Sequence, residues 1–90
     1  MTFVLNRGWG GFCLPVDFVK EHGLAGVYDF DPDLIHINPD LIDWVRHADK
    51  HARGSLEVVE IPDTATDYEL DECDGWESIT YVVNGTIFHA

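Results

Sequence analysis

Three glycines near the start of the chain form the first candidate binding segment, Asn6-Arg7-Gly8-Trp9-Gly10-Gly11-Phe12. Glycine tolerates positive φ and leaves backbone N–H groups uncovered, so such a segment beside an arginine can form a nest for an anion. It is not a dinucleotide fingerprint, because Cys13 stands where the third glycine belongs, and it has no Gly-Lys-Ser/Thr of a P-loop.

The same glycines have a structural explanation. Glycine allows backbone segments to approach closely, and we favour a bend that lets a strand and a helix pack together. A loop that holds an anionic ligand, or that contacts a partner through Trp9, is the alternative. The residues of this alternative loop are Arg7, Gly8, Trp9, Gly10 and Gly11.

Cysteine and histidine residues offer two further patterns. Cys13 precedes a predicted helix start, where a helix dipole can activate a thiol, but no Cys-x-x-Cys or Cys-x5-Arg pattern accompanies it. We therefore expect a small buried side chain at this position. His47 and His51 have the four-residue spacing of a helical metal pair, but they lack the glutamate of the zinc-protease motif, and Arg46 and Lys50 would repel a cation. We predict no metal, no cofactor and no catalytic residues.

Carboxylates dominate the last third of the chain. Strand alternation would place Glu69 and Asp71 side by side on one face, whereas Glu72 and Asp74 lie near a turn. Similar pairs occur in calcium sites and glycosidases, but the spaced oxygen ligands of a calcium loop are missing, so a solvated sheet face is the simpler interpretation. As a candidate partner-binding surface, this face comprises Glu69, Asp71, Glu72, Asp74 and Glu77.

The net charge of −12 at pH 7 is unevenly distributed along the 90 residues. Residues 55–90 carry nine acids and no Lys or Arg, whereas residues 1–54 carry eight acids and five bases. Duplex DNA and anionic membranes are bound through Lys and Arg, so direct binding to either is disfavoured. A basic protein partner is favoured instead, while the competing explanation is that an acidic surface only keeps a small protein soluble.

The sequence also indicates a compartment. The first residues lack the basic region and apolar stretch of a signal peptide, and no run approaches the roughly 18 apolar residues of a membrane span. Cys13 and Cys73 are too few for a secreted disulfide scaffold. We expect a soluble, cytoplasmic chain with reduced thiols that folds as a single domain over residues 1–90.

The first half of the chain predicts one strand and two helices. Thr2–Asn6 is typical of a strand that ends at the glycines, and a short helix from Pro15 to His22-Gly23 follows. Helix starts of the Asx-Pro type occur at Asp31-Pro32 and Asn38-Pro39. We expect the first to give one turn and then a break, and the second to start a helix from about Pro39 to Ala52 that Gly54 ends.

From Ser55 onward, the apolar period changes from helical to alternating. Leu56–Ile61 and Tyr68–Cys73 are typical of strands. The dipeptides Asp74-Gly75 and Asn84-Gly85 are two-residue hairpin signals that lead into further strands at 76–83 and 86–89. The sequence therefore predicts an α+β fold whose C-terminal half is an antiparallel β-meander with one acidic face.

The end of the second predicted helix is basic, in contrast to this meander. We favour an isolated, solvated basic helix end as the explanation. As alternatives, its side chains would contact the chain's own acids, or would contact the acidic sheet face of another copy and so form a homo-oligomer. The residues concerned are Arg46, His47, Lys50, His51 and Arg53.

Four short segments carry a family resemblance that spans nearly the whole chain. They are Asn6-Arg7-x-x-Gly10-Gly11-Phe12, Asp31-Pro32-x-Leu34-Ile35, Val58-Val59-Glu60-Ile61-Pro62-Asp63 and Tyr68-Glu69-Leu70-Asp71-Glu72-x-Asp74-Gly75. In these segments the chain resembles a family of short, mostly uncharacterised proteins of bacteriophages and prophages. It departs from that pattern at Pro15, where a serine cap is usual, and at Asn38-Pro39, which splits a segment expected to be continuous. The resemblance implies a viral setting in a bacterial host and supplies no catalytic residues.

These observations lead to two hypotheses. The first is a non-enzymatic, phage-type interaction protein that acts through its acidic surface on a basic bacterial host protein, in one version as a DNA mimic whose carboxylates replace phosphates. The alternative is a protein that binds or sequesters a small anionic, nucleotide-like ligand with the glycine-rich loop, using Arg7 and Trp9. Enzymatic activity ranks third, because no nucleophile, base and orienting group can be assembled from the sequence.

Overall fold

The structure, a computed structural model, describes residues 1–21 and 35–90. Strand β1 spans Thr2–Asn6, helix α1 spans Val16–Glu21, and a single 3₁₀ turn covers Ile35–Ile37. Helices α2 and α3 follow at Pro39–His47 and Lys50–Arg53. The remaining strands are β2 at Leu56–Glu60, β3 at Asp67–Cys73, β4 at Trp76–Val83 and β5 at Thr86–His89. The chain is an α+β domain, as the sequence predicts.

Helix α2 begins at the predicted Asn-Pro start. The side-chain oxygen of Asn38 accepts hydrogen bonds from the backbone N–H groups of Asp40 and Leu41, both at 3.0 Å. Pro39 occupies the first turn, where its missing N–H is not needed. The other Asx-Pro start, at Asp31-Pro32, and the predicted helix end at His22-Gly23 lie outside the described residues.

The prediction of one continuous helix from Pro39 to Ala52 is wrong. Ala48 has extended backbone, with φ −75° and ψ 147°, and Asp49 caps a new helix by accepting a hydrogen bond from the Ala52 N–H at 2.8 Å. A short acidic side chain competes for backbone N–H groups and therefore favours a helix start over a helix interior. Gly54, with φ 63°, ends α3 as expected.

Strands β1 and β2 form a two-stranded antiparallel sheet in which Phe3 lies opposite Val59 and Val4 lies opposite Val58. The prediction that β2 belongs to the C-terminal meander is therefore wrong. Phe3 to Asn6 are all buried, so the backbone of β1 requires hydrogen-bond partners within the protein, and β2 supplies them. At the open end of this sheet, the Met1 ammonium donates to Asp63 Oδ1 at 2.7 Å and holds the pKa of that carboxyl below its ordinary value.

Strands β3, β4 and β5 form the antiparallel meander in that order. Both connecting turns have positive φ at their two central residues: 50° and 91° at Asp74 and Gly75, and 51° and 78° at Asn84 and Gly85. These values are typical of type I′ turns, whose twist suits two-residue hairpins. The two predicted hairpins are thus confirmed.

The two-stranded sheet is the middle of three layers. Because side chains alternate along β1, Val4 packs with Phe18 and Leu41 on the helical side, whereas Phe3 and Leu5 pack with Ile79 of the meander. The rings of Phe3 and Tyr68 meet edge to face, with centroids 5.2 Å apart. None of the helices in the described parts of the chain is long and apolar enough to cross a bilayer.

Candidate binding surfaces

The outer face of the meander is the face turned away from the two-stranded sheet. On β3 it carries the carboxylates of Asp67, Glu69 and Asp71, which alternate residues bring into one row at a spacing of about 6.8 Å. All three residues are exposed. The Thr80 hydroxyl of β4 donates to Asp71 Oδ2 at 2.9 Å and lies 3.2 Å from Nδ1 of His89. The outer face is thus an acidic row bordered by hydroxyl and imidazole groups.

Glu72 and Asp74 lie at the turn end of this sheet. Both are exposed, but both also take part in local contacts. Glu72 Oε1 accepts the Gly75 N–H at 2.8 Å, and the Asp74 carbonyl accepts the Gly10 N–H at 3.1 Å. Glu72, predicted as a member of the acidic surface, does not belong to the outer face, because it pairs with Glu77 and alternates with the outward-facing Asp71. Glu72 and Asp74 instead lie beside the glycine-rich loop.

Glu77, predicted as a member of the acidic surface, is instead buried at 9% exposure. Its Oε1 accepts the backbone N–H of Asn6 at 2.7 Å, and its Oε2 lies 2.7 Å from Nε2 of His36. The reason is its register: Glu77 pairs with Glu72, two residues before the buried Ile79, so it lies on the inner face of the meander. Glu77 therefore connects β4 to β1 and to the 3₁₀ turn, and it does not belong to the exposed surface.

The glycine-rich loop is a close-packed bend. Gly10 and Gly11 have φ values of 103° and 97°, and a Cβ added to Gly75 would lie only 2.0 Å from the backbone nitrogen of Gly11. The loop therefore packs against the turn between β3 and β4. The sequence instead favoured a bend at which a strand and a helix pack together. Since the Gly10 N–H already donates to Asp74, this part of the loop is not an open nest.

Trp9, the exposed tip of this loop, lies beside Trp76 of β4. The two ring centroids are 5.6 Å apart with the planes tilted by 43°. Trp9 is 72% exposed and Trp76 is 39% exposed. The pair forms an aromatic surface that two distant parts of the chain build together.

A basic cleft of about 350 Å³ opens beside Trp76. We use this name for the space lined by Arg7, Lys50, Arg53, Gly54, Ser55, Glu57 and Trp76. Arg7 is fixed in it, because its Nη1 donates to the Glu77 carbonyl at 2.9 Å and its Nε lies 3.7 Å from Glu57 Oε2. The Nε of Arg53 is buried and has no hydrogen-bond partner within the described part of the chain.

The basic helix end is divided by the break at Ala48. Arg46 donates to Glu60 Oε1 at 3.0 Å, and His47 Nδ1 lies 3.4 Å from Asp43 Oδ1. His47 lies in α2 and His51 in α3, so the two do not share one continuous helix. Across residues 1–21 and 35–90, no three histidine, cysteine or acidic side chains are grouped to hold a metal ion.

The expectation that Cys13 is buried is wrong, since Cys13 and Cys73 are both exposed as free thiols. Cys13 lies between the glycine-rich loop and Leu14, and Leu14 is the residue that packs into the core there. The local sequence did not distinguish which of the two neighbours would be buried.

Sequence reasoning missed the basic cleft, and it also missed a polar cluster formed by Glu77, His36, Asn6 and Ser55. Asn6 and Ser55 join that cluster, with Ser55 Oγ donating to Asn6 Oδ1 at 2.5 Å and Asn6 Nδ2 donating to the Gly75 carbonyl at 2.6 Å. One signal was available: a polar Asn6 at the end of an apolar strand suggests a buried amide that needs partners. The cleft itself gave no local signal, because its residues come from three distant segments.

Comparison of the chain with protein-family models, with curated proteins and with solved structures gave no match.

Proposed function

We propose that this chain is a non-enzymatic binding protein that attaches to a basic surface of another protein through the outer face of its meander. The observation that carries the proposal is the exposed row of Asp67, Glu69 and Asp71 in a segment, residues 55–90, that has no Lys or Arg. This row favours binding of a basic partner, because complementary charge accelerates and orients association.

The spacing of the row favours a DNA-mimic version of this function. Carboxylates about 6.8 Å apart along β3 resemble, in charge and in scale, the regular negative charges of a nucleic-acid strand. A protein that binds nucleic acid through Lys and Arg would then accept β3 in its basic groove. The family resemblance of the sequence supports a setting in which a phage protein acts in the cytoplasm of a bacterial host.

The basic helix end of a second copy is another candidate partner for the outer face. Within the described part of the chain, Lys50, His51 and Arg53 form no ion pair, whereas Arg46 contacts Glu60 and His47 contacts Asp43. An oligomer held by these groups would dissociate as salt increases. Sedimentation of the purified chain at low and high salt distinguishes this partner from a host protein.

The test is capture of proteins from bacterial lysate on the immobilised chain, at about 50 and 200 mM salt, with and without competing duplex DNA. The triple variant Asp67→Asn, Glu69→Gln, Asp71→Asn removes the row. The control Asp17→Asn, Asp40→Asn, Asp43→Asn removes the same charge from exposed positions on α1 and α2. We expect capture to weaken with salt, to be competed by DNA, and to be lost only in the β3 variant.

Capture that is insensitive to salt would contradict the proposed function. Equal loss in both triple variants would show that only total charge matters, as expected if the acidic surface serves solubility. Salt-sensitive capture that DNA does not compete would retain the basic partner and reject the DNA-mimic version.

A further inference from the structure

The basic cleft concentrates positive charge in a strongly acidic protein. The chain has five Lys and Arg residues and a net charge of −12, yet Arg7, Lys50 and Arg53 all line this one cleft. Glu57 is the single carboxylate among its described lining residues. Like charges repel one another, so such a cluster is stabilised when an anion occupies it.

Two of the three cations have side-chain donors without a hydrogen-bond partner among residues 1–21 and 35–90. Lys50 is exposed at the first residue of α3, and the buried Nε of Arg53 has no partner among the described residues. A buried guanidinium N–H without an acceptor is costly, and Arg53 is one of the residues that line the cleft. Arg7 differs, because its contact with the Glu77 carbonyl holds its guanidinium in place at the wall.

Aromatic rings border the cleft on one side. Trp76 lines it, and Trp9 extends the aromatic surface outward at 5.6 Å between centroids. Planar rings stack on tryptophan with little regard to their identity, and each such contact contributes about 1–3 kcal/mol in nucleic-acid binding proteins. The volume of about 350 Å³ is at the small end of ligand pockets, which suits one ring and one anionic group.

We infer that the basic cleft binds a small organic anion that joins a phosphate to a planar ring, the chemistry of a nucleoside monophosphate. The phosphate contacts Lys50 and Arg53, Arg7 forms the fixed wall, and the ring stacks on Trp76. Glu57, beside Arg7, is an acceptor for a hydroxyl group of the sugar. This site is separate from the outer face of the meander. It binds an anion, whereas the outer face binds a positively charged surface.

The test is a titration of the full chain with AMP, GMP, CMP and UMP in low-salt buffer, in which tryptophan fluorescence reports binding. Adenosine and inorganic phosphate are the two partial ligands. We expect saturable binding of at least one nucleotide, with a Kd about tenfold or more below that of either partial ligand. Phosphate that binds as tightly as every nucleotide would overturn the ring contact.

Variants locate the site. Lys50→Gln and Arg53→Gln should each raise the Kd about tenfold, the loss expected for one charge-assisted hydrogen bond. Lys20→Gln is the matched control, because Lys20 is exposed in α1 and does not line the cleft. Trp9→Leu tests the ring surface at a position that is 72% exposed.

Two results would overturn the inference. One is the absence of a saturable signal for all four nucleotides up to about 5 mM, a concentration above which binding is too weak to be specific. The other is an equal effect of Lys50→Gln and Lys20→Gln, which would assign the binding to overall charge.

Discussion

Glu77 and His36 meet below the surface, with Oε2 of the carboxylate 2.7 Å from Nε2 of the imidazole. The second carboxylate oxygen accepts the N–H of Asn6 at the end of β1. The His36 ring also lies against Phe12, with centroids 4.9 Å apart. One side chain of β4 is thereby joined to the middle sheet and to the 3₁₀ turn, so it fixes the hairpin against the rest of the fold.

Replacing Glu77 by alanine should destabilise the protein by about 3 kcal/mol, because it leaves the Asn6 N–H and His36 without their acceptor in a buried site. Urea denaturation measures the free energy of unfolding. Glu69→Ala, at an exposed position on β3, is the control and should change it by less than about 0.5 kcal/mol. Equal effects of the two substitutions would show that the Glu77 contacts contribute little.

Gly75→Ala should be far more damaging than Gly85→Ala, although both residues have positive φ in type I′ turns. A left-handed alanine costs about 1–2 kcal/mol at either position. At Gly75 the added Cβ would also lie 2.0 Å from the Gly11 nitrogen, whereas at Gly85 it would meet nothing within 4 Å. Thermal denaturation of the two variants separates conformational strain from the close approach of the loop, and similar melting temperatures would contradict that approach.

Strand β3 lies at an edge of the meander within the described residues, and its carboxylates should keep that edge from pairing. Pairing of β3 with β3 of another copy would bring acids of both chains together. The variant Asp67→Asn, Glu69→Gln, Asp71→Asn should therefore self-associate at concentrations where the parent chain does not. Light scattering after size-exclusion chromatography checks this, with the Asp17, Asp40, Asp43 triple variant as control. A monomeric β3 variant would indicate that charge does not protect the edge.

Local signals in the sequence were sufficient for the turns and for the start of α2. Asp74-Gly75 and Asn84-Gly85 predict type I′ turns because few other residues accept positive φ, and Asn38-Pro39 combines a cap with a residue that fits the first helical turn. The burial of Glu77 could also have been predicted from the sequence. A two-residue turn at Asp74-Gly75 fixes the register, and that register places Glu77 on the face of Ile79.

Features that depend on contacts between distant segments could not be predicted from the sequence. The pairing of β1 with β2 joins residues 2–6 to residues 56–60, and the alternating pattern of β2 suits either sheet. The basic cleft combines Arg7, Lys50 and Trp76, which only the packed layers bring together. Neither arrangement leaves a periodic signal in one segment, so local propensity cannot reveal it.

The break between α2 and α3 can be used to test whether the local sequence or tertiary packing ends helix α2. Asp49 accepts the Ala52 N–H, and Ala48 before it is extended. Asp49→Ala removes this cap and introduces the residue of highest helix propensity, so we expect the 13Cα shift of Ala48 to move toward helical values. The loss of the cap, about 1 kcal/mol, should be partly offset by that propensity. Asn38→Ala is the matched control: it removes a cap from α2 without joining two helices and should cost about 1 kcal/mol in full. An unchanged Ala48 shift in Asp49→Ala would assign the break to packing against the rest of the fold.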